Sequence, residues 1–153
     1  MDLIDAFIEL RQDGKEIVPG MTFQTLSQLG WAPSKIVRVS WLAGQRQLAL
    51  DYPDGVLAKV LPGRGHVAVI PQIGGAAGSP KLTVMDAQGR ECYVLGSAQE
   101  IAGVMRYGSF LWFEPSDTDP EHRFGVVFET ADQQFLLELE INSGAVKVVR
   151  ELR

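Results

Sequence analysis

Residues 124–141 have the sequence FGVVFETADQQFLLELEI, in which two apolar runs flank a short polar segment. Successive side chains of a β-strand point to opposite faces, so alternation sorts the residues of a predicted hairpin with strands at 124–130 and 135–141. One face belongs to the core. It comprises Phe124, Val126, Phe128, Phe135, Leu137, Leu139 and Ile141. The other face carries the carboxylates of Glu129, Glu138 and Glu140, which we expect to be exposed.

Strand signals dominate the rest of the chain, because short runs of Val, Ile, Leu and aromatic residues are bounded by Gly, Pro, Asp and Asn. The further predicted strands are residues 35–41, 47–52, 56–61, 66–71, 110–113 and 145–151. Two segments favour a helix instead. Residues 22–29 begin with Thr22 as a candidate N-cap, and residues 97–106 begin with the capping-box pattern Ser97-Ala98-Gln99-Glu100.

The same order of elements occurs twice along the chain. Residues 13–18 align with residues 88–93 at an offset of 75, and the predicted helix at 22–29 aligns with the one at 97–106 at the same offset. By this analogy a strand is favoured at residues 7–11, where a helix is the alternative. An internal duplication of this kind indicates two structural units of the same plan.

We therefore predict an α+β fold made of two tandem pseudo-repeats, residues 1–73 and 81–153, within a single globular unit. Each half is mainly an antiparallel sheet, formed by a hairpin and a meander of about four strands, with one helix. Between the halves, residues 74–80 are rich in Gly, Ala and Ser, a composition typical of a flexible connector.

The composition is that of an ordinary globular domain. The chain has 153 residues, of which 46% are hydrophobic and 22% charged, and this balance excludes disorder, collagen and coiled coil. No apolar run approaches the ~20 residues of a membrane-spanning helix, and the N-terminus lacks the basic region of a signal peptide. With Cys92 as its only cysteine, the sequence predicts a cytoplasmic protein that makes no membrane contact and needs no disulfide.

Charge is distributed unevenly along the chain. Residues 1–75 hold seven basic and seven acidic residues, so the whole net charge of −5 belongs to the second half. Eight acids lie between residues 114 and 140, with Arg123 as the only base among them. Such a patch disfavours nucleic acid and favours a basic protein partner, because opposite charges steer the encounter. The alternative is a solvated face that only keeps the protein soluble.

The sequence offers no catalytic, metal or cofactor site. Its two histidines and one cysteine match no zinc-site spacing and no nucleophile motif. His122 follows several acids in one loop, but the Ca²⁺-loop signature is absent and two prolines restrict how the oxygens converge. The glycine-rich turns lack the following helix or the Gly-Lys-Ser/Thr ending that binds phosphate. Binding, rather than catalysis, is therefore the predicted activity.

The candidate partner-binding residues are the acids of the second half and one aromatic side chain. They are Glu114, Asp117, Asp119, Glu121, Glu129, Glu138, Glu140 and Trp112. Trp112 alternates with Leu111 and Phe113 along a predicted strand, so either the tryptophan or its neighbours face the solvent. An exposed tryptophan amid acids suits an interface anchor. A tryptophan packed in the core is the alternative.

Two resemblances add to these observations. The pattern Gly20-Met21-Thr22, followed by Leu29-Gly30 and Pro33, is similar to a signature of small outer-membrane assembly lipoproteins. Tandem units of this size resemble the layout of β-lactamase inhibitory proteins, and a small acidic chain without a catalytic constellation resembles bacterial immunity proteins. These resemblances imply a scaffold that uses a sheet face to grip another protein.

The sequence thus predicts a non-enzymatic immunity or inhibitor protein, monomeric by itself, that neutralises a basic toxin through an acidic face. A nuclease is the most concrete target, because it must carry a positive cleft for phosphates and an acidic face can occupy that cleft. Two other classes stay open. One is an acidic secretion chaperone, and the other is a small-molecule-binding or enzymatic domain.

Overall fold

In the computed structural model, the chain is described over residues 2–18, 21, 23–28, 35–72 and 81–152. These residues form thirteen strands and one short helix, and every strand pairing is antiparallel. The elements are β1 (Ile4–Arg11), β2 (Glu16–Ile17), α1 (Phe23–Gln28), β3 (Ile36–Ala43), β4 (Arg46–Asp51), β5 (Val56–Val60), β6 (His66–Pro71), β7 (Leu82–Asp86), β8 (Glu91–Leu95), β9 (Ala98–Ile101), β10 (Val104–Pro115), β11 (Arg123–Thr130), β12 (Gln134–Glu140) and β13 (Val146–Glu151). The fold is all-β, and the predicted α+β class is wrong.

The strands form three sheets, with a central sheet packed between the other two. The first sheet has the order β2-β1-β3-β4, the central sheet β5-β6-β7-β8, and the last sheet β13-β12-β11-β10-β9. Val67 and Val69 of β6 pack against the first sheet, whereas Ala68 and Ile70 pack against the last sheet. Because β6 is buried on both faces, its residues 67–70 are all apolar and do not alternate with polar residues.

The predicted strands are confirmed, and the hairpin at 124–141 has the expected register. Phe128 of β11 pairs with Phe135 of β12, and all seven residues assigned to the core lie in the cluster between the central and last sheets. The strand favoured at 7–11 is part of β1. In the two aligned hairpins, Leu10 pairs with Glu16 and Met85 pairs with Glu91, which preserves the offset of 75.

The predicted helix at 97–106 is wrong, because these residues form the β9–β10 hairpin. Ala102 and Gly103 both have positive φ, at 53° and 81°, which is the backbone of a two-residue hairpin turn. Gln99 and Ile101 are buried while their neighbours are exposed, a period of two that belongs to a strand. Burial of Ile101 in the core outweighs the local capping pattern.

The other predicted helix corresponds to the six-residue α1, and its flanking Thr22 and Leu29 lie outside the described residues, as does the connector at 74–80. The second half contains no helix within 81–152, so one helix per half is wrong. The central sheet combines strands of both predicted halves, and the two-half division stays a prediction. No helix in the described part of the chain is long and apolar enough to cross a membrane.

Gly144 gives a test of how the last sheet meets the central sheet. Its φ is +75°, and a Cβ built there would lie 2.6 Å from Cε2 of Tyr93, whose hydroxyl donates to the carbonyl of Ile141 at 2.7 Å. We expect Gly144→Ala to lower the free energy of unfolding by about 2–4 kcal/mol, from left-handed strain and from overpacking against the ring. Urea unfolding measures the loss.

The matched control is Gly63→Ala. Gly63 has a φ of +85°, but a Cβ built there would have no atom within 4 Å, so only backbone strain of about 1–2 kcal/mol is expected. Equal losses in the two variants would contradict the proposed packing of Tyr93 on Gly144.

Candidate functional site

The last sheet presents one face to the core and the other outward, and we call the latter the outer face. Its residues follow from the strand register. One row across the strands is Trp112, Val127, Leu136 and Arg150, and the next row is Glu114, Gly125, Glu138 and Val148. The outer face therefore combines apolar, acidic and arginine side chains on β10 to β13.

A hollow of about 260 Å³ lies on this face beside Trp112. Val127 and Leu136 form its floor, and their side chains are almost completely buried, although they point outward from the sheet. The residues around the floor are Trp112, Pro115, Arg150 and Leu152, with the carboxyl groups of Glu114 and Asp117 at the rim. We call this feature the Trp112 hollow.

Trp112 itself is 44% exposed, which settles the two alternatives for this side chain in favour of exposure. Its indole Nε1 donates a hydrogen bond to Oε1 of Glu114 at 2.9 Å. Residues two apart on a strand share a face, so the indole and the carboxylate lie side by side. The hydrogen bond fixes an exposed aromatic ring next to a negative charge.

Met105 and Tyr107 extend the apolar surface along β10. They pair with the exposed Glu100 and Ala98 of β9, whereas the intervening residues of β9 are buried, so both point outward. A bulge between Phe110 and Trp112 shifts the alternation, which puts Trp112 on the same outward side. Met105 is 53% exposed and Tyr107 is 70% exposed. Together with Trp112 they form what we call the β10 stripe.

Sequence reasoning missed Met105 and Tyr107, because it assigned residues 97–106 to a helix and began the next strand only at Phe110. The sequence of β9, AQEI, does not alternate between apolar and polar residues, because the buried position 99 is a glutamine and the exposed position 98 is an alanine. Gly103 was the local turn signal, since a hairpin of this type needs positive φ at two successive residues.

Glu138 is not exposed, so this part of the predicted acidic face is wrong. Only 1% of its surface is accessible, because the loop after β10 folds over it. The hydroxyls of Ser116 and Thr118 donate to its Oε1, the latter at 2.7 Å, and the backbone N–H of Thr118 donates at 3.3 Å. Burial raises the pKa of Glu138, but these hydrogen bonds and the charge of Arg150 together hold it below the ordinary value.

Four of the other predicted acids have partners within the protein. Three of them form pairs with basic side chains: Asp117 with Arg150 at 2.9 Å, Asp119 with Nδ1 of His122 at 2.9 Å, and Glu140 with Arg123 at 3.8 Å. The carboxylate of Glu129 accepts a hydrogen bond from the amide of Gln134 at 2.6 Å. The hydrogen bond from His122 lowers the pKa of Asp119, and that carboxylate raises the pKa of His122. Glu121 is exposed in the same loop. Much of the acidic charge is therefore balanced locally.

The described residues bring the predicted site residues together only in part. Trp112, Glu114 and Asp117 line the hollow, and the buried Glu138 lies in the same row of the sheet as Glu114. Glu129 lies further along the outer face, next to Ser109. Glu140 is paired with Arg123 in the row next to that of Glu114 and Glu138, on the side away from Glu129. Asp119 and Glu121 lie beside His122 in the loop at this end of the sheet. Within the described ranges, no group of three or more His, Cys, Asp and Glu side chains could hold a metal ion. The arrangement offers a surface for binding.

The fold of this surface also occurs in a protein that takes part in a two-protein complex. A chain in the solved structure of Tne2 in complex with Tni2 matches with a TM-score of 0.89, over 99% of this chain and 100% of that chain. The sequences are 24% identical, so the match establishes the fold. No protein-family model matches the chain, and no curated protein matches it significantly.

Proposed function

We propose that the chain is an immunity protein, which binds a toxin through the outer face of the last sheet and thereby neutralises it. The observation that carries this proposal is the match, over nearly all of both chains, to a member of the complex of Tne2 with Tni2. The acidic sequence without a catalytic motif supports the same class.

The composition of the outer face supports a role in protein binding. Tyr, Trp, Met and Arg are the residue types enriched at protein interfaces, and Tyr107, Trp112, Met105 and Arg150 supply one of each here. Three of the four are large hydrophobic side chains exposed on one strand. Antiparallel sheets expose polar residues on an open face, so this stripe favours a covered state in a complex.

The proposed partner has a basic surface. The net charge of −5 and the acids of the outer face would steer a positively charged protein to this side of the molecule. Glu114, Glu121 and Glu129 are the acids proposed to contact this basic surface. Of the other predicted acids, Glu138 is buried, and the remaining three are paired with His122, Arg123 and Arg150. A nuclease toxin is one class with such a surface. We also propose that the protein is a monomer by itself and acts in the cytoplasm.

Capture followed by a growth assay tests the proposal. The immobilised protein is incubated with lysate of the source organism, and retained proteins are identified by mass spectrometry. Each retained basic protein is then expressed alone and together with this chain in a heterologous host. We expect one of them to arrest growth alone, and we expect co-expression to restore growth and yield a 1:1 complex by light scattering.

Two results would overturn the proposal. In one, no retained protein arrests growth, or none is retained at all. In the other, growth stays arrested although both proteins are expressed at equal levels.

A further inference from the structure

We propose that the Trp112 hollow is a receptor for one extended cationic side chain, an arginine or a lysine, of the partner. This inference rests on the proposed function, since it assigns the chemistry that the outer face recognises. The Trp112 hollow combines an apolar floor, an aromatic wall and an acidic rim, and each of these matches one part of such a side chain.

The floor and wall suit the aliphatic stem of the incoming side chain. Val127 and Leu136 close the bottom of the hollow, while Trp112 and Leu152 stand beside it with 44% and 45% of their surfaces exposed. Arg and Lys bury their methylene stems along apolar surfaces while the charged head stays near polar groups. A hollow with this lining removes the stem from water without desolvating the charge.

The charges around the hollow favour a cation. Glu114 and Asp117 contribute two carboxylates to its lining, against the single guanidinium of Arg150. Arg150 is engaged with Asp117 at 2.9 Å. In the described part of the chain no lysine, arginine or histidine forms an ion pair with Glu114. Glu114 is therefore the rim carboxylate whose charge is left for a partner.

The hydrogen bond between Trp112 and Glu114 positions two recognition groups at once. It holds the indole in place, so the ring can offer its face to a cation, and it leaves the negative charge of Glu114 beside that ring. A guanidinium or ammonium group at the mouth of the hollow would meet both. Because an exposed tryptophan is already oriented, little side-chain entropy is lost on binding.

Nuclear magnetic resonance titration of the isolated protein tests this inference. The probes are N-acetyl-arginine methylamide and N-acetyl-lysine methylamide, with the neutral citrulline and norleucine derivatives as matched controls. The readout is the indole N–H signal of Trp112, identified by its loss in Trp112→Phe. We expect the cationic probes to shift this signal and the amides of Val127 and Leu136 in a saturable way, and the neutral probes at equal concentration to leave them unchanged.

A pair of charge-neutralising variants tests the role of the rim. We expect Glu114→Gln to raise the Kd of the arginine probe about fivefold, since it removes a charge-assisted contact. Glu91→Gln removes an exposed acid of β8, away from the hollow, and is expected to leave the Kd unchanged. Equal effects of the two variants would show a general charge effect and overturn the inference.

The inference fails if the neutral probes shift the Trp112 signal as strongly as the cationic ones, because the hollow is then only an apolar slot. It also fails if none of the probes shifts the signal. Either result leaves the growth assay unaffected, since that assay uses the whole protein and its partner. If growth is not rescued but the titration is positive, the proposed function as an immunity protein is wrong, and the assignment of the hollow as a cation-binding site still holds.

Discussion

Trp112→Ala is expected to weaken binding of the toxin partner about 30-fold or more, corresponding to the ~2 kcal/mol that defines an interface hot spot. The indole is the largest exposed side chain beside the hollow and forms its wall. Removing it opens the hollow to water and releases the carboxylate of Glu114 from its hydrogen bond. Titration calorimetry with the partner identified by capture and growth rescue measures the change.

The matched control for this prediction is Leu57→Ala. Leu57 is 38% exposed on β5 of the central sheet, so truncation removes a similar kind of exposed apolar surface away from the outer face. We expect its Kd to stay within twofold of the wild type, and both variants to unfold at urea concentrations close to that of the wild type. A Kd for Trp112→Ala that is also within twofold would show that the outer face is not the binding surface.

The two described tryptophans show which part of this argument the sequence could supply. In β3, alternation puts Trp41 on the same face as Val39 and opposite Ser40, so the sequence favours its burial. Trp112 lies between the apolar Leu111 and Phe113, so alternation alone does not decide its exposure. Trp41 is buried between the first and central sheets, where its Nε1 donates to the carbonyl of Ala87 at 2.7 Å. Trp112 lies on an outer sheet, and only the three-sheet arrangement assigns it to the outward side.

The strands could be predicted because their signals are local, whereas the helix at 97–106 was predicted from a local signal that tertiary packing overrides. Ser97 and Glu100 fit a capping box, but β9 pairs with the start of β10, and Ile101 is buried in the core. A four-residue capping pattern contributes about 1 kcal/mol, and complete burial of an isoleucine contributes about 2–3 kcal/mol. The larger contribution decides the fold of the segment.

For the acidic face, the sequence predicts on which side of the sheet the glutamate side chains lie, but it does not predict whether solvent reaches them. Alternation correctly sends Glu138 away from the core residues Leu137 and Leu139. It does not reveal that the loop carrying Ser116 and Thr118 folds back over the sheet and covers the carboxylate. Long-range contacts of this kind join residues about twenty positions apart, and no periodic pattern encodes them.

Glu138→Ala is expected to lower the stability of the protein strongly. It removes the acceptor of three hydrogen bonds and leaves the buried hydroxyl of Ser116 without an acceptor for its proton. We expect the free energy of unfolding at pH 7 to fall by about 3 kcal/mol, the cost of breaking hydrogen bonds to a buried charged group. Glu140→Ala, which removes a half-exposed carboxylate 3.8 Å from Arg123, is the control and is expected to lose about 0.5 kcal/mol.

The pH dependence of the free energy of unfolding distinguishes the contribution of the negative charge of Glu138 from that of its packing. Because the folded-state pKa of Glu138 lies below its ordinary value of 4.5, its carboxylate contributes full stability above that pH, and the contribution is lost as the pH falls through the folded-state pKa. Glu138→Gln keeps the shape and removes the charge. The difference in unfolding free energy between the wild type and Glu138→Gln should therefore be constant from pH 7 to about 5 and narrow steadily below it. A difference that does not change with pH would mean that the carboxylate stabilises the loop by packing alone, and that its negative charge contributes nothing to holding the outer face together.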